Sequence, residues 1–261
     1  MNGRYNIRDM KYTLGLLVIT SNSAEVLAAA LESASGLVDQ MVVVDDGSTD
    51  ATREIASRYG AVCFEHHEPD LGKQRAYALS QMHTQWTLVL DPDERLTHEV
   101  RHEIIGVMSE DFPPHVGYRV PFYTHFLGRR LRHGGENYFK MVLFKTSAGF
   151  IRPARVHEAY EVKGSVGTLE NGIEHYSYRS ISQMYRKFIG YAKREAEDRA
   201  ARGETVTVKK LTMYPIHMFI ARFFESGGYK DGFWRLPLDI GFAYMEFMTY
   251  WYLLWKNKKE Q

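Results

Sequence analysis

The chain has 261 residues, of which 44% are hydrophobic, enough for one large domain or for one domain with an appendage. Its 33 Lys and Arg residues nearly balance its 32 Asp and Glu residues, which disfavours a nucleic-acid binder because such proteins are usually strongly basic. A single cysteine, Cys63, excludes a disulfide framework within the chain and fits a reducing compartment.

The first hundred residues alternate between two hydrophobic periods. Short β-branched runs lie at 14–19, 41–44, 61–64 and 86–90, and helical patterns lie at 24–35, 49–59 and 73–82. This alternation predicts a mostly parallel sheet that is covered by helices on both faces. In such sheets ligands bind beyond the carboxyl ends of the strands, where this chain places polar residues.

The second half of the chain has a different pattern. Residues 116–175 alternate like strands, with a hairpin around Gly128, and predict an antiparallel addition to the sheet. Residues 180–202 predict a charged amphipathic helix, and Gly203 interrupts the pattern before an aromatic-rich helical tail. We therefore expect a catalytic domain over residues 1–202 and a tail over 203–261.

Two of the predicted strands end on acidic pairs. The segment "VVVDDGS" ends the second strand, and "LVLDPDE" ends the fourth with a D-x-D pair, Asp91 and Asp93. Alone, each pair fits an ordinary turn whose acids cap the next helix. Two unit charges about 4 Å apart repel by roughly 4 kcal/mol at an effective dielectric near 20. Carboxylates that face an anionic diphosphate therefore need a divalent ion between them, and Mn²⁺ or Mg²⁺ suits oxygen ligands.

The sequence resembles glycosyltransferase family 2, and within it the bacterial branch that adds sugars to lipopolysaccharide core. The resemblance rests on "VVVDDGSTDATREIASRYGA", "GKQRAYALSQMHTQWTLVLDPDERLTHEV", "HGGENYFKMVLFK", "RVHEAYEVKG" and "IEHYSYRSISQM". It implies an α/β fold of the GT-A type: a Rossmann-like, mostly parallel sheet with an antiparallel addition and a C-terminal helical tail.

The resemblance also implies a binding pocket for a nucleoside-diphosphate sugar. Thr20 and Asn22 match positions that line the nucleotide pocket, and Asp46 matches the acid that accepts a hydrogen bond from the base, usually uracil. Asp45 and Ser48 match positions that support the same loop.

Further positions match the diphosphate and metal sites of the family. Lys73 and Arg75 match basic positions near the diphosphate, although a solvated helix start explains them equally well. Asp91 and Asp93 match the metal-binding pair, and Glu94 follows them as in the branch. One position departs from the branch: Val142 stands where an arginine is usual, and Lys140 or Lys145 is the expected substitute.

A single displacement at the sugar needs a base that takes the proton of the acceptor hydroxyl. Glu158 is the predicted base, and Glu136 is the rival. His157 is expected to bind the metal, the diphosphate or the acceptor. The alternative is that Glu158 pairs with Arg155 and that His157 is a structural polar residue.

The tail is the last predicted element. Residues 233–255 contain nine aromatic side chains, and Asp239 and Glu246 share one helical face. Lysines follow at 256, 258 and 259. Such a helix either lies at a membrane surface or packs against the catalytic domain or a second subunit. We find no signal-peptide pattern and no apolar run of the roughly 20 residues that span a bilayer. We therefore expect a cytoplasmic enzyme, either free or peripheral on the inner face of the cytoplasmic membrane.

The expected activity is an inverting, metal-dependent hexosyl transfer from a nucleoside-diphosphate sugar, favoured as UDP-linked, to a glycan or glycolipid such as lipopolysaccharide core. The alternatives are transfer to a polyprenyl phosphate or another lipid or protein acceptor, and a non-catalytic nucleotide-sugar binder. Nucleotidyl transfer is disfavoured because "TSNSAE" stands where a glycine-rich phosphate loop is expected.

Overall fold

A computed structural model describes residues 6–151 and 159–259, and the chain forms two compact units. The sheet unit consists of Met1–Phe122 and Phe139–His175, and the helical unit consists of Tyr123–Tyr138 and Tyr176–Gln261. The functional division after residue 202 stays a prediction.

The elements follow the predicted alternation closely. The strands are β1 Leu14–Thr20, β2 Gln40–Asp45, β3 Val62–Glu65, β4 Trp86–Leu90, β5 Glu94–Leu96, β6 Gly117–Phe126, β7 Arg129–Arg130, β8 Phe139–Lys145, β9 Gly149–Ile151, β10 Tyr160–Val162, β11 Val166–Thr168 and β12 Ile173–Tyr178. The α-helices are α1 Leu27–Ala34, α2 Thr52–Arg58, α3 Leu71–Ser80, α4 His98–Ser109, α5 Ile181–Ala201, α6 Val208–Ile220 and α7 Leu236–Lys259. β6 and β7 form the hairpin predicted around Gly128.

The sheet of the sheet unit is parallel on one side and antiparallel on the other. Its strand order is β3-β2-β1-β4-β8-β6, with parallel pairing from β3 to β4 and antiparallel pairing of β8 with β4 and β6. One added strand differs from the prediction, because β11 pairs with β6 in parallel. β9 and β10, which pair with each other in antiparallel orientation, precede β11 in the chain, and β11 then runs beside β6 in the same direction as β6.

Both faces of the parallel sheet are buried, as predicted. Leu16 and Val18 of β1 lie in a core cluster with residues of α1, α2 and α4, while Leu17 lies in a second cluster with Ala78 and Met82. Successive side chains of a strand point to opposite faces, so a continuous apolar run serves two cores.

Parallel pairing brings the acidic strand ends together. Thr20 at the end of β1 pairs with Asp45 of β2, and Val18 of β1 pairs with Leu90 of β4. β1 therefore lies between β2 and β4, and the acids that follow both strands lie at the same edge of the sheet.

In the helical unit, α5 and α7 pack against each other along most of their length. Met184, Phe188, Ala192 and Ala196 of α5 are buried at a spacing of four residues, which is one face of a helix. Gly203 follows α5 with a φ of 72°, a conformation that glycine adopts without the steric cost of a Cβ atom. None of the helices among the described residues combines the length and the apolar character that a bilayer crossing needs.

The acids of α7 face inward. Arg235 is fully buried, and its guanidinium donates to Asp239 Oδ2 at 2.7 Å and to Glu136 Oε1 at 2.7 Å. Arg222 also donates to Glu136, and Arg199 donates to the buried Glu246 at 3.3 Å. The face that Asp239 and Glu246 share is thus occupied by buried ion pairs.

We expect Arg235→Met to destabilise the helical unit by about 3–5 kcal/mol, because it leaves Asp239 and Glu136 buried with one cation fewer. Urea unfolding followed by tryptophan fluorescence measures this, since Trp234, Trp251 and Trp255 lie in this unit. Arg202→Met is the matched control, because its side chain is 52% exposed, and it should cost less than about 1 kcal/mol. Equal losses for both variants would contradict a structural role for the buried network.

Candidate active site

The loop after β2 is organised by the buried carboxylate of Asp45. Asp45 accepts hydrogen bonds from the Ser48 hydroxyl and, at 3.0 Å, from the Ser48 backbone N–H. The Arg53 guanidinium lies 3.6 Å from the same carboxylate. These contacts hold the loop between Asp45 and Ser48 in shape, and the nucleotide-binding role implied for both residues stays a prediction.

Asn22 connects this loop to the end of β1. Its backbone N–H donates to Ser48 Oγ at 2.7 Å, and its side-chain oxygen accepts from the Thr49 N–H at 3.0 Å. Its φ of 47° lies in the left-handed region, which asparagine tolerates better than most residues. The hydroxyl of Thr20 is buried at the same edge and has no hydrogen-bond partner among the described residues.

Asp46 differs from the buried Asp45 because its side chain is partly exposed. Its backbone N–H donates to the carbonyl of Thr20 at 2.8 Å, which fixes it beside β1. Its carboxylate lies 2.5 Å from His67 Nδ1, on the segment that follows β3. The structure thus brings Thr20, Asn22 and Asp46 together, and it adds His67, which the sequence analysis missed because it lies 21 residues away.

The acids after β4 surround a lysine. Lys140 Nζ of β8 lies 2.7 Å from Asp91 Oδ2 and 2.9 Å from Glu94 Oε1. The Glu94 side chain is fully buried, whereas 43% of the Asp91 side chain is exposed to solvent. Asp91 can therefore receive a ligand on its open side while its other side holds the lysine.

These contacts shift the pKa values of the cluster in opposite directions. Burial and the negative charge of Asp91 together raise the pKa of Glu94 to about 7, because the positive charge of Lys140 lowers it by less than these two effects raise it. Burial also acts to raise the pKa of Asp91, but the charge and hydrogen bond of Lys140 outweigh it and lower that pKa. The Lys140 pKa is raised because its two carboxylate partners outweigh its burial. Asp91 is thus the ionised acid, and Glu94 is the one that can keep a proton.

The structure distinguishes the two lysines that were candidates for the missing arginine. Val142 is buried in the sheet core, and Lys145 pairs with Trp86 at the amino end of β4. Asp91 follows the other end of that strand. Lys140 is therefore the cation that meets the acids, and Lys145 is excluded by its position.

Asp93 has a different partner. His175 Nε2 lies 3.5 Å from Asp93 Oδ1, and antiparallel pairing of β12 with β5 places His175 opposite Glu94. His175 also contacts the ring of Phe122 edge-on at 5.9 Å. The sequence analysis did not connect His175 with the acids after β4, because a strand pairing between residues about 80 positions apart leaves no local signal.

The basic residues of α3 lie beside a buried tyrosine. Lys73 is exposed in the first turn of α3, and the Arg75 guanidinium lies 5.9 Å from the centre of the Tyr160 ring. The Tyr160 hydroxyl is buried without a partner among the described residues, and burial raises its pKa. The charges of Arg75, Asp91 and Lys140 all act on this hydroxyl, so Tyr160 belongs to the same region. The sequence did not single it out.

Two predicted residues, His157 and Glu158, lie outside the described residues. The rival base, Glu136, is buried in the helical unit and held by Arg222 and Arg235, and burial raises its pKa. Across residues 6–151 and 159–259, no three His, Cys, Asp or Glu side chains are grouped closely enough to hold a metal ion by themselves. The carboxylates of Asp91 and Asp93 are hard oxygen donors of the kind that Mg²⁺ and Mn²⁺ prefer.

We expect Glu94→Gln to gain stability relative to the parent chain as the pH rises. The raised pKa means that the folded parent keeps a proton that the unfolded chain has released, so the parent loses stability between about pH 5 and 7. The difference in unfolding free energy between variant and parent should grow by about 3 kcal/mol over this range and then level off. Urea unfolding at several pH values measures it, with the exposed Glu110→Gln as the control for removing one charge. A difference that does not change with pH would contradict the raised pKa.

A family model described as glycosyl transferase family 2 matches residues 16–160, which is more than half of the chain. An uncharacterized glycosyltransferase of Rickettsia prowazekii is 26% identical over 90% of this chain and 84% of its own length. The lipopolysaccharide core biosynthesis glycosyltransferase LpsC of Rhizobium meliloti is 26% identical over 92% of this chain and 88% of its own.

Solved structures give weaker similarities. Staphylococcus aureus TarS in complex with UDP aligns with a TM-score of 0.47 at 14% identity, over 95% of this chain and 92% of that one. Mycobacterium tuberculosis glucosyl-3-phosphoglycerate synthase with Mn²⁺, UDP and phosphoglyceric acid aligns with a TM-score of 0.46 at 14% identity, over 79% and 86%. Similarities at this level assign no property to this chain. The family match and the observed sheet confirm the expected GT-A fold, and the chain belongs to glycosyltransferase family 2.

Proposed function

We propose that this glycosyltransferase moves a hexose from a UDP-linked sugar, with inversion, to a bacterial surface glycan such as lipopolysaccharide core. The observation that carries the proposal is the meeting of the two acidic strand ends at one edge of the sheet. β1 lies between β2, which brings Asp45 and Asp46, and β4, which brings Asp91 and Asp93. Neighbouring strands are about 4.8 Å apart, so the two ends are about 10 Å apart, which suits a nucleoside diphosphate laid across β1.

In this proposal the nucleoside lies over the end of β1 and β2. The carboxylate of Asp46 accepts a hydrogen bond from the N3–H of uracil, a donor that cytosine lacks. Asp45, Ser48 and Asn22 support this contact by holding the loop through the hydrogen bonds described above. The hydroxyl of Thr20 has no hydrogen-bond partner within residues 6–151 and 159–259, and a bound nucleotide would supply one at this edge.

The diphosphate lies toward the end of β4, where Asp91 and Asp93 would hold Mn²⁺ or Mg²⁺, with His157 as a candidate third ligand. The ion would supply Lewis-acid stabilisation of the leaving diphosphate. Lys140 neutralises part of the acidic charge, so that an anionic donor is not repelled. Lys73 and Arg75 add positive charge from the start of α3.

Glu158 is the proposed base. It takes the proton of the acceptor hydroxyl while that oxygen forms the new bond to the anomeric carbon, and the bond from that carbon to the UDP oxygen breaks. One displacement inverts the anomeric configuration. The burial of Glu136 supports this choice, because its side chain is only 5% exposed and is paired with Arg222 and Arg235, so an acceptor hydroxyl does not reach it.

The acceptor is proposed from the similarity to LpsC, whose name assigns it to lipopolysaccharide core biosynthesis. Such an acceptor is a glycolipid, so we propose that the enzyme works at the inner face of the cytoplasmic membrane. Transfer to a polyprenyl phosphate or a protein uses the same donor site, and an acceptor screen separates these cases. A non-catalytic binder would take up UDP without hydrolysing any donor sugar.

The metal assignment predicts the behaviour of Asp93→Asn. We expect the manganese-dependent hydrolysis of the UDP-sugar donor to fall by about 100-fold or more, because a neutral amide binds the cation more weakly at a position that stabilises developing charge. Calorimetry with UDP alone checks that the nucleotide pocket remains intact. Asp111→Asn, whose carboxylate is exposed, is the matched control and should keep full activity. Undiminished hydrolysis in Asp93→Asn would remove Asp93 from the metal site.

The base-reading role predicts a change of nucleotide preference in Asp46→Asn. An amide in that position donates as well as accepts, so it can pair with the N3 acceptor of cytosine. We expect UDP to bind about 10- to 100-fold more weakly, as for the loss of a charged hydrogen bond, while CDP binds no more weakly than before. Calorimetric titration with both nucleotides measures the ratio. An equal loss for UDP and CDP would indicate a damaged loop and contradict base recognition by Asp46.

A further inference from the structure

Helix α6 packs against α7, yet it keeps several large apolar side chains exposed. Most of its thirteen residues are apolar, in the segment "VKKLTMYPIHMFI", yet none of them is buried. The contact with α7 leaves Met213, Ile216 and Ile220 in solvent, so α6 presents a second apolar face that something else is expected to cover.

The exposed apolar residues of α6 continue into the connection to α7. Met213, Ile216, Ile220 and Phe224 follow one another at helical spacing and are exposed. The rings of Phe224, Tyr229 and Phe233 surround the buried Phe223, with ring centres 5.1, 6.4 and 6.3 Å from it. We name this surface the apolar face, and it consists of Met213, Ile216, Ile220, Phe224, Tyr229 and Phe233.

The apolar face contains large side chains that gain nothing from water. Phe233 is 81% exposed and Ile216 is 53% exposed. Single exposed hydrophobic residues are common, but a contiguous group of this size marks an interaction surface. Helix α7 extends the pattern, because its acids face inward while Ile240, Trp251 and Trp255 are exposed.

Basic residues accompany this face. Arg129 lies 5.5 Å from the ring of Trp234, next to Phe233, and Lys230 lies beside Tyr229 in the same connection. The helical unit has 18 Lys and Arg residues against 10 Asp and Glu, a formal charge of +8, whereas the whole chain carries +1. The positive charge of the chain is therefore concentrated in the unit that bears the apolar face.

We propose that the apolar face docks on an anionic lipid surface, with its aromatic and aliphatic side chains in the acyl boundary and its basic residues at the headgroups. Apolar area and basic charge are the two features that bind a helix in the plane of a membrane. A second copy of this chain is a weaker candidate, because a two-fold interface would press two strongly basic units together. The inference deepens the proposed function, since it supplies the surface on which a glycolipid acceptor is found.

Vesicle flotation of the full chain tests the proposal, with phosphatidylcholine vesicles that contain about a third phosphatidylglycerol and with phosphatidylcholine alone. We expect flotation with the anionic vesicles, and weaker flotation with the neutral ones. The double variant Ile216→Ser/Phe233→Ser should lower the partition coefficient by about tenfold or more, because two apolar side chains no longer enter the membrane. Both side chains are exposed, so circular dichroism and the melting temperature should not change.

Phe112→Ser is the matched control, because Phe112 is 90% exposed but lies in the sheet unit. It should float like the parent chain. Equal flotation of the parent and the double variant would overturn the proposal. So would a parent that does not float but forms a dimer that the double variant abolishes. Donor hydrolysis without vesicles should be the same in the double variant and the parent, so a failure of the proposed activity is seen separately from a failure of docking.

Discussion

The structure depends on the parallel pairing of β1 with β2 on one side and with β4 on the other. Because the pairing is parallel, the carboxyl ends of β1, β2 and β4 lie at one edge of the sheet, and polar residues follow each of these strands. The hydrophobic cores on both faces of the sheet hold that edge in place, because Leu16, Leu17 and Val18 are fully buried in them. The acidic groups are consequently held together by burial of apolar residues that take no part in the chemistry.

Bringing these acids together has an electrostatic cost, and the chain offsets it with Lys140. The Lys140 ammonium lies within 3 Å of Asp91 and Glu94, and Asp93 contacts His175. A site arranged in this way keeps a reduced negative charge before any ligand arrives, and the pKa of about 7 for Glu94 lowers that charge further near neutral pH. The same compensation recurs in the helical unit, where Arg222 and Arg235 neutralise Glu136 and Asp239.

Much of the sheet unit was predictable, because strands and helices of the first hundred residues have clear periods and short connections. The positions of the strands and helices in the first hundred residues, and the parallel direction of their sheet, followed from local sequence. The partners of the acids did not, since Lys140 and His175 reach them through pairings between residues that are far apart along the chain. The burial of the acids of α7 was also not predictable from local sequence. Asp239 and Glu246 face inward because they pair with Arg199, Arg222 and Arg235, and the helical period does not reveal the pairs that are far apart in sequence.

The central claim is that Asp46 and the Asp91–Asp93 pair hold the two ends of one nucleoside diphosphate. A crystal soaked with UDP and Mn²⁺ tests it, with the anomalous signal of manganese locating the ion. We expect manganese in coordination with the Asp93 carboxylate and the diphosphate, and uracil hydrogen-bonded to Asp46. Manganese bound elsewhere, or uracil at another edge of the sheet, would contradict it.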